Sequence, residues 1–229
     1  MVKQHLKRLA SPNTWPIPKK TLSFVKRPYP GAHKLHFQIS ISVFLRDMAK
    51  VVKSNKEAKY VLHKKLCFVD GKPVYDDKRP VGLFDVITFP SLKKQYRIII
   101  NKKNKLAAVE ISQKEATMKI SKVVKKLTIK GNKTQLTTLD SRSIIVDDAK
   151  KYNIGDSLHI EVPSQKIVDV LPFAVGGTIL LQAGRHVGAI ARIEEINGSD
   201  IVVKTNDDVF QTKRKYALVV GKDKPIITL

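Results

Sequence analysis

Residues 41–74 read ISVFLRDMAKVVKSNKEAKYVLHKKLCFVDGKPV. Ile41, Phe44, Leu45, Met48 and Val52 recur at the spacing of one helix face, so a helix is expected to start after Ser40 with an apolar side. Arg46, Lys50 and Lys53 fall on its opposite side. Ser54 followed three residues later by Glu57 is a capping-box pattern and predicts a second helix. Ala58, Val61 and Leu62 mark its buried side, with Lys56, Lys59 and His63 off it. The apolar run Leu66–Val69, the turn pair Asp70-Gly71, and runs around Val74-Tyr75 and Val86–Phe89 then read as three short strands. Residues 38–90 are thus expected to form a compact helix–helix–strand module.

Beyond Pro90 the chain reads almost wholly as strands. Tyr96–Ile100 and Leu106–Ile111 flank the basic loop Asn101–Lys105, and Lys126–Ile129 and Thr134–Leu139 flank Gly131-Asn132. Leu158–Val162, Ile167–Leu171 and Thr178–Leu181 continue the series. Gly188–Ile196 and Ile201–Thr205 bracket Asn197-Gly198, a strong hairpin signal that sets Arg192 and Lys204 in antiparallel sheet. Short strands with polar turns at this spacing suggest a small barrel, and a β-rich central region of residues 91–170 is divided softly, near Val170, from a last region of 171–229.

Upstream, residues 1–37 carry five prolines and the basic pairs Lys7-Arg8, Lys19-Lys20 and Lys26-Arg27, with little apolar periodicity. Proline fixes φ and removes a donor, so the segment is expected to be an extended arm along a surface. A tail that orders only on its partner is the alternative.

The chain holds 43 Lys plus Arg against 20 Asp plus Glu, a formal charge of +23 in 229 residues. Such an excess of one sign points to a polyanion partner. A membrane surface would call for a basic amphipathic helix with a broad apolar face or a lipidation signal, and neither is evident. Only nine of the cations are Arg, which favours phosphate neutralisation over reading of base edges. The single Cys67 leaves no internal disulfide framework or multi-cysteine zinc site and suits a reducing cytosol. No segment approaches the roughly 20 apolar residues of a membrane span. A soluble, intracellular protein of two or three small domains is expected.

Within residues 40–89, Phe44-Leu45-Arg46-Asp47, Glu57-Ala58, Val69–Val74, Pro80-Val81 and Asp85-Val86-Ile87 resemble the RNA-binding module named after bacterial ribosomal protein S-four. Upstream, Lys3–Ala10, Trp15–Pro18 and Pro30–Leu35 resemble the N-terminal signature of the e-type S-four family of archaeal and eukaryotic small-subunit proteins. Downstream, Gly176-Gly177 and Gly184–Ile190 are similar to the KOW motif that ends that family. The motif order is the same, the likeness covers nearly the whole chain, and the short length looks archaeal. The resemblance implies a multidomain α+β protein in which the module is followed by a β-rich central domain and a small SH3-like β-barrel carrying the KOW motif. It further implies a structural constituent of the small subunit, in the cytoplasm, whose partners are small-subunit ribosomal RNA and neighbouring ribosomal proteins, and which is monomeric when free.

The expected RNA contacts are Lys7, Arg8, Lys19, Lys20, Lys26 and Arg27 in the arm, and Arg46, Lys50, Lys53, Lys56, Lys59, His63, Lys64 and Lys65 in the module. In the last region they are Arg185, His186, Arg192, Lys213 and Arg214. Gly184 and Gly188 are expected to be structural, and Tyr29 is the aromatic kept as a base-stacking candidate. His33 and His36 have metal-ligand types, but Pro30 and Gly31 argue against the helix that would align them. No phosphate-cradling glycine pattern, nucleophile elbow or carboxylate dyad is found, Asp147-Asp148 and Asp207-Asp208 being neighbours on strand or turn. No catalytic residue, metal, cofactor or small-molecule substrate is therefore expected, and the chain is read as a non-enzyme. The rivals are an RNA-modifying enzyme recruiting its substrate through the module, and a factor that binds RNA transiently.

Overall fold

The computed structural model describes residues 5–205 and 208–229; Lys3, Gln4 and Asp207, which belong to the motifs and acidic pairs above, lie outside them. Strands dominate, with few helices. The chain forms two compact units, one running up to Ile100 and including Asn104–Thr117, the other made of Asn101–Lys103 and Met118–Leu229.

In the first unit, β1 (Leu6–Lys7) and β2 (Phe24–Val25) form a small antiparallel ladder. β3 (Gln38–Ser40) leads into α1 (Ile41–Val43), which runs on as a π-helical turn, Phe44–Met48. The apolar face expected there is present, because Ile41, Phe44, Leu45 and Val52 are all buried. The backbone widens and ends early, so Val52 lies beyond the helix. α2 (Asn55–His63) begins where the capping box places it. The Ser54 hydroxyl accepts from the Glu57 N–H at 3.2 Å, and Glu57 Oε2 accepts from the Lys53 N–H at 2.9 Å. Ala58 and Leu62 are the buried side.

β4 (Phe68–Val69), β5 (Lys72–Pro73), β6 (Pro80–Gly82), β7 (Val86–Phe89), β8 (Lys94–Ile100) and β9 (Leu106–Glu110) complete the unit. Five of these make one sheet in the order β5-β4-β7-β8-β9, and β3 pairs with β6. Residues 94–110, expected from the sequence to open the central region, are therefore bonded to the sheet of the helical module. Pro90 does not break the sheet, because it sits in the turn between β7 and β8 where no ladder donor is needed.

The arm joins this core. Trp15, Ile17 and Val25 are buried with Phe44, Leu62 and Ile98 in one apolar cluster. Polar bonds fix it in place: Thr14 Oγ1 donates to the His36 carbonyl at 2.6 Å, and Leu106 N–H donates to the Thr14 carbonyl at 2.7 Å.

The second unit holds two five-stranded antiparallel sheets. β10 (Met118–Ile129), β11 (Lys133–Thr138), β12 (Ser143–Val146), β13 (Ser157–Glu161) and β14 (Ile167–Leu171) stand in the order β12-β11-β10-β13-β14. β10 serves both halves because it bulges between Val123 and Lys125, where its pairing passes from β13 to β11. β15 (Thr178–Leu181), β16 (Ile190–Asn197), β17 (Asp200–Lys204), β18 (Val209–Lys213) and β19 (Ala217–Gly221) run β18-β17-β16-β15-β19. β19 packs on β10, β13 and β14 and so ties the two sheets together.

Candidate nucleic-acid interface

The exposed stripe of α2 carries Lys56, Lys59, Tyr60 and His63, whose spacing of three, four and seven residues aligns them on one face. Its C-terminus adds two more exposed cations. Lys64 Nζ lies 5.8 Å from the centre of the exposed Tyr60 ring, and Lys65 Nζ lies 5.6 Å from that of Tyr75. A lysine ammonium over an exposed tyrosine ring is a cation–π pair, a combination of charge and aromatic surface that can meet both a phosphate and a base.

The geometry at that terminus is a Schellman motif: Leu66 N–H donates to the Val61 carbonyl at 3.1 Å and Lys65 N–H to the Leu62 carbonyl at 2.9 Å. Lys65 occupies the left-handed position, φ +56°, which glycine ordinarily takes. Lys50 and Lys53 are exposed as well. Arg46 is half-buried and its guanidinium is already engaged, forking onto Asp47 at 3.1 and 2.6 Å and reaching Asn55 at 3.3 Å. That hydrogen bond to Asp47 raises its pKa above the ordinary arginine value.

Among the arm residues, Lys7 and Lys20 are exposed. Arg8 is buried, 3% exposed, and donates to the Pro18 carbonyl at 2.7 Å, so it braces the arm. Lys19 caps the Ser11 carbonyl at 3.1 Å and also reaches Asn13. Lys26 pairs with Asp77 at 2.9 Å, and Arg27 is half-buried. Tyr29 is exposed and bears a cation that the sequence did not single out: Lys78 Nζ sits 5.1 Å from its ring centre. Lys78 is inconspicuous because it follows Asp76-Asp77, whose charges offset it in any local tally.

In the second unit, Arg185 and Lys213 are exposed, while His186 stacks on Phe210 with ring centres 3.9 Å apart. Arg192 is exposed but tethered, Nε donating to the Gly176 carbonyl at 2.9 Å and Nη2 meeting Asp223 at 3.0 Å. It also pairs across the ladder with Lys204, as the hairpin pattern implies. Arg214 is half-buried: Nη2 donates to the Ile154 carbonyl at 3.1 Å and its guanidinium lies 4.7 Å above the Phe173 ring.

Two buried polar clusters in this unit were illegible in the sequence. Asp140 receives the Lys119 ammonium at 3.1 Å, the Arg142 Nε at 2.8 Å and the hydroxyls of Ser121 and Thr138 at 2.6 and 2.5 Å. Burial by itself would raise its pKa, but Lys119, the two hydroxyls and Arg142 outweigh that and hold the carboxyl well below the usual range. Lys122 donates to the carbonyls of Arg214, Lys215 and Ala217 at 3.1, 3.4 and 2.5 Å.

His33 is committed to Asp85 at 3.1 Å while His36 is exposed, its ring edge on Phe37. Cys67 is a buried core residue whose thiol burial pushes up to about 12, far from the reactive range. Among the described residues no helix is long and apolar enough to cross a membrane.

The sequence pattern of ribosomal family S4e matches residues 92–167, and that of the RS4NT domain matches residues 2–36. The small ribosomal subunit protein eS4 of Methanosphaera stadtmanae is 36% identical over 233 residues, covering 99% of this chain and 96% of that protein. Its counterpart from Korarchaeum cryptofilum is 38% identical over 229 residues, covering 99% and 97%. The crystal structure of the 30S ribosomal protein S4e from Thermoplasma acidophilum superposes with a TM-score of 0.70 at 31% identity, covering 81% of this chain and 95% of that one.

Proposed function

This chain belongs to the ribosomal S4e family, and on that premise we propose that it is a structural constituent of the small ribosomal subunit, held there by multivalent binding to 16S-type ribosomal RNA. The near-full-length likeness to proteins named small ribosomal subunit protein eS4 carries this reading. The family is one of ribosomal structural proteins, which is not an enzyme class, and no catalytic role is proposed for this member.

The mechanism rests on cations distributed over both units. We assign phosphate contacts to Lys7 and Lys20 in the arm, to Lys50, Lys53, Lys56, Lys59, His63, Lys64 and Lys65 on the helical module, and to Arg185 and Lys213 in the second unit. Arg8, Lys19, Lys26, Arg46, Arg192 and Arg214 take a supporting part, since their charged groups already bond within the protein. Linked sites raise effective concentration for one another, so total affinity exceeds that of any one patch. The sequence divides the chain into an arm 1–37, an S-four-type module 38–90, a central domain 91–170 and a KOW-type barrel 171–229, but residues 94–110 share the module's sheet, so we place the start of the central domain at Met118. The SH3-like assignment of the last is supported by its four-strand meander with β19 returning to pair with β15. Cytoplasmic ribosomes are the location and neighbouring ribosomal proteins the further partners.

Co-sedimentation of the full chain with small subunits through a moderate salt wash tests the proposal. Retention is expected. Release at low salt would identify a transient factor instead, and turnover of RNA bases by the purified chain would identify a modifying enzyme.

A further inference from the structure

Where the two sheets of the second unit meet, they leave a cleft of about 710 Å³. That lies inside the roughly 300–1,000 Å³ range of small-ligand sites. One wall is apolar: Val124, Leu139 and Ile154 line it, and Val124 and Ile154 are left 48% and 55% exposed. The other side carries Lys213, Arg214 and Lys215, and no acidic side chain lines the cleft among the described residues.

Gln182 supplies the observation that points to a ligand. It lines the cleft and is only 6% exposed, yet its Nε2 donor has no hydrogen-bond partner. Buried amide donors are nearly always satisfied, and this one, itself closed off from solvent, gains an acceptor when the Gln182 amide turns about its last side-chain torsion toward an occupant of the cleft. The basic side is held in place in advance. Lys122 clamps three carbonyls between Arg214 and Ala217. Gly155, at φ +106°, leaves room for the Arg214 guanidinium, which a Cβ would meet at 3.1 Å. Burial, and then the neighbouring Arg214, push the Lys122 ammonium down to about 8, so positive charge here is already crowded and an incoming anion would relieve it.

We propose that this cleft is a binding site for one unstacked nucleotide of RNA. Its base lies on the Val124, Leu139 and Ile154 wall, a base carbonyl or ring nitrogen accepts from Gln182 Nε2 once that amide turns toward the cleft, and the flanking phosphates meet Lys213 and Lys215. Proteins that read RNA by sequence do so mostly at unpaired bases splayed out of the stack, and a flat apolar face, a polar edge and a tethered anion match the three features of the cleft. An acidic peptide would match the charge alone. The proposal rests on the RNA-binding function inferred above.

The test uses the full chain, titrated with a short oligouridylate and with the same strand lacking bases. Gln182→Met is expected to weaken oligouridylate binding roughly five- to tenfold, the worth of one hydrogen bond, and to leave the abasic strand unaffected. Ile154→Ser, at an exposed position where folding is not at stake, is expected to do the same. Lys213→Gln with Lys215→Gln should weaken both strands. If neither Gln182→Met nor Ile154→Ser changes oligouridylate affinity, or if oligoglutamate binds the cleft more tightly than oligouridylate, the proposal is overturned. Small-subunit ribosomal RNA is titrated in parallel: tight binding of it alongside a failed oligouridylate test sinks the cleft alone, whereas no binding of it by the unaltered chain sinks the broader function.

Discussion

Asp140 shows how one side chain organises a buried polar cluster that sequence periodicity could not foresee. Two cations and two hydroxyls converge on a carboxylate that is 6% exposed, and burying such a group is tolerable only because its lone pairs are all used. Asp140→Asn is expected to cost about 3–5 kcal/mol, read from urea unfolding at neutral pH, because it removes the countercharge from buried Lys119. The pH dependence has a definite sign. The folded-state pKa is depressed, so the stabilisation is complete above the unfolded carboxylate value near 4 and fades as pH falls below it. The urea midpoint should therefore drop on acidification from about pH 4 downward, and less steeply in Asp140→Asn. A variant with unchanged acid sensitivity would remove Asp140 from this role. A second prediction concerns space. A Cβ on Gly82 would collide with the His33 ring and stand 2.6 Å from the Phe37 carbonyl, so Gly82→Ala should unfold well below the parent temperature in a thermal melt.

At the scale of elements, α2, with Lys56, Lys59 and His63 on its exposed stripe and Lys64 and Lys65 just beyond it, ends in a way that trades stability for charge. Position 65 is left-handed, where a β-carbon is disfavoured, yet it holds a lysine whose ammonium sits over Tyr75. Lys65→Gly should raise stability by about 0.5–1 kcal/mol through relief of that strain. The same variant should bind small-subunit RNA more weakly, and the two measurements moving in opposite directions is the expected result. Ser54→Ala, which removes the N-cap at the other end, should lower stability by about 1 kcal/mol. The contrast explains which elements could be read from sequence. The N-terminus of α2 is written in side chains of distinctive type, so Ser54 and Glu57 announced it. Its C-terminus has no glycine and was silent. The Asn197-Gly198 signal placed a hairpin correctly but not its apex: Asn197 pairs with Asp200, so Gly198 and Ser199 form the loop with Gly198 at φ +62°. β1, β2, β3, β6, the first half of β10, β12, β18 and β19 were missed, β18 because Val209–Lys213 mixes polar and apolar residues, and β19 because its five buried residues alternate with nothing. Which cations are free at the surface was hardest to read, because charge alone cannot distinguish exposed Lys56 from buried Arg8.

Across the whole molecule, a +23 charge shared by two units makes salt dependence the most direct measure of the RNA binding proposed above. Each neutralised phosphate contributes roughly −0.7 to −0.9 to the slope of log affinity against log salt, whether the cation comes from one unit or the other. Binding confined to the helical module would lose nearly all of its slope when that module's lysines are neutralised. The exposed cations of the second unit predict a different outcome. Lys56→Gln, Lys59→Gln and Lys64→Gln combined should make the slope shallower by about two to three, one step for each phosphate left without its cation, while a substantial slope remains. Lys213→Gln and Arg185→Gln should remove a further increment of about one to two from that background, added to the first within error. Filter binding of the full chain to small-subunit RNA over a range of potassium concentrations reads both values. If the first set of changes alone abolished the salt dependence, the second unit would have no part in holding phosphate, and its basic surface would need another explanation.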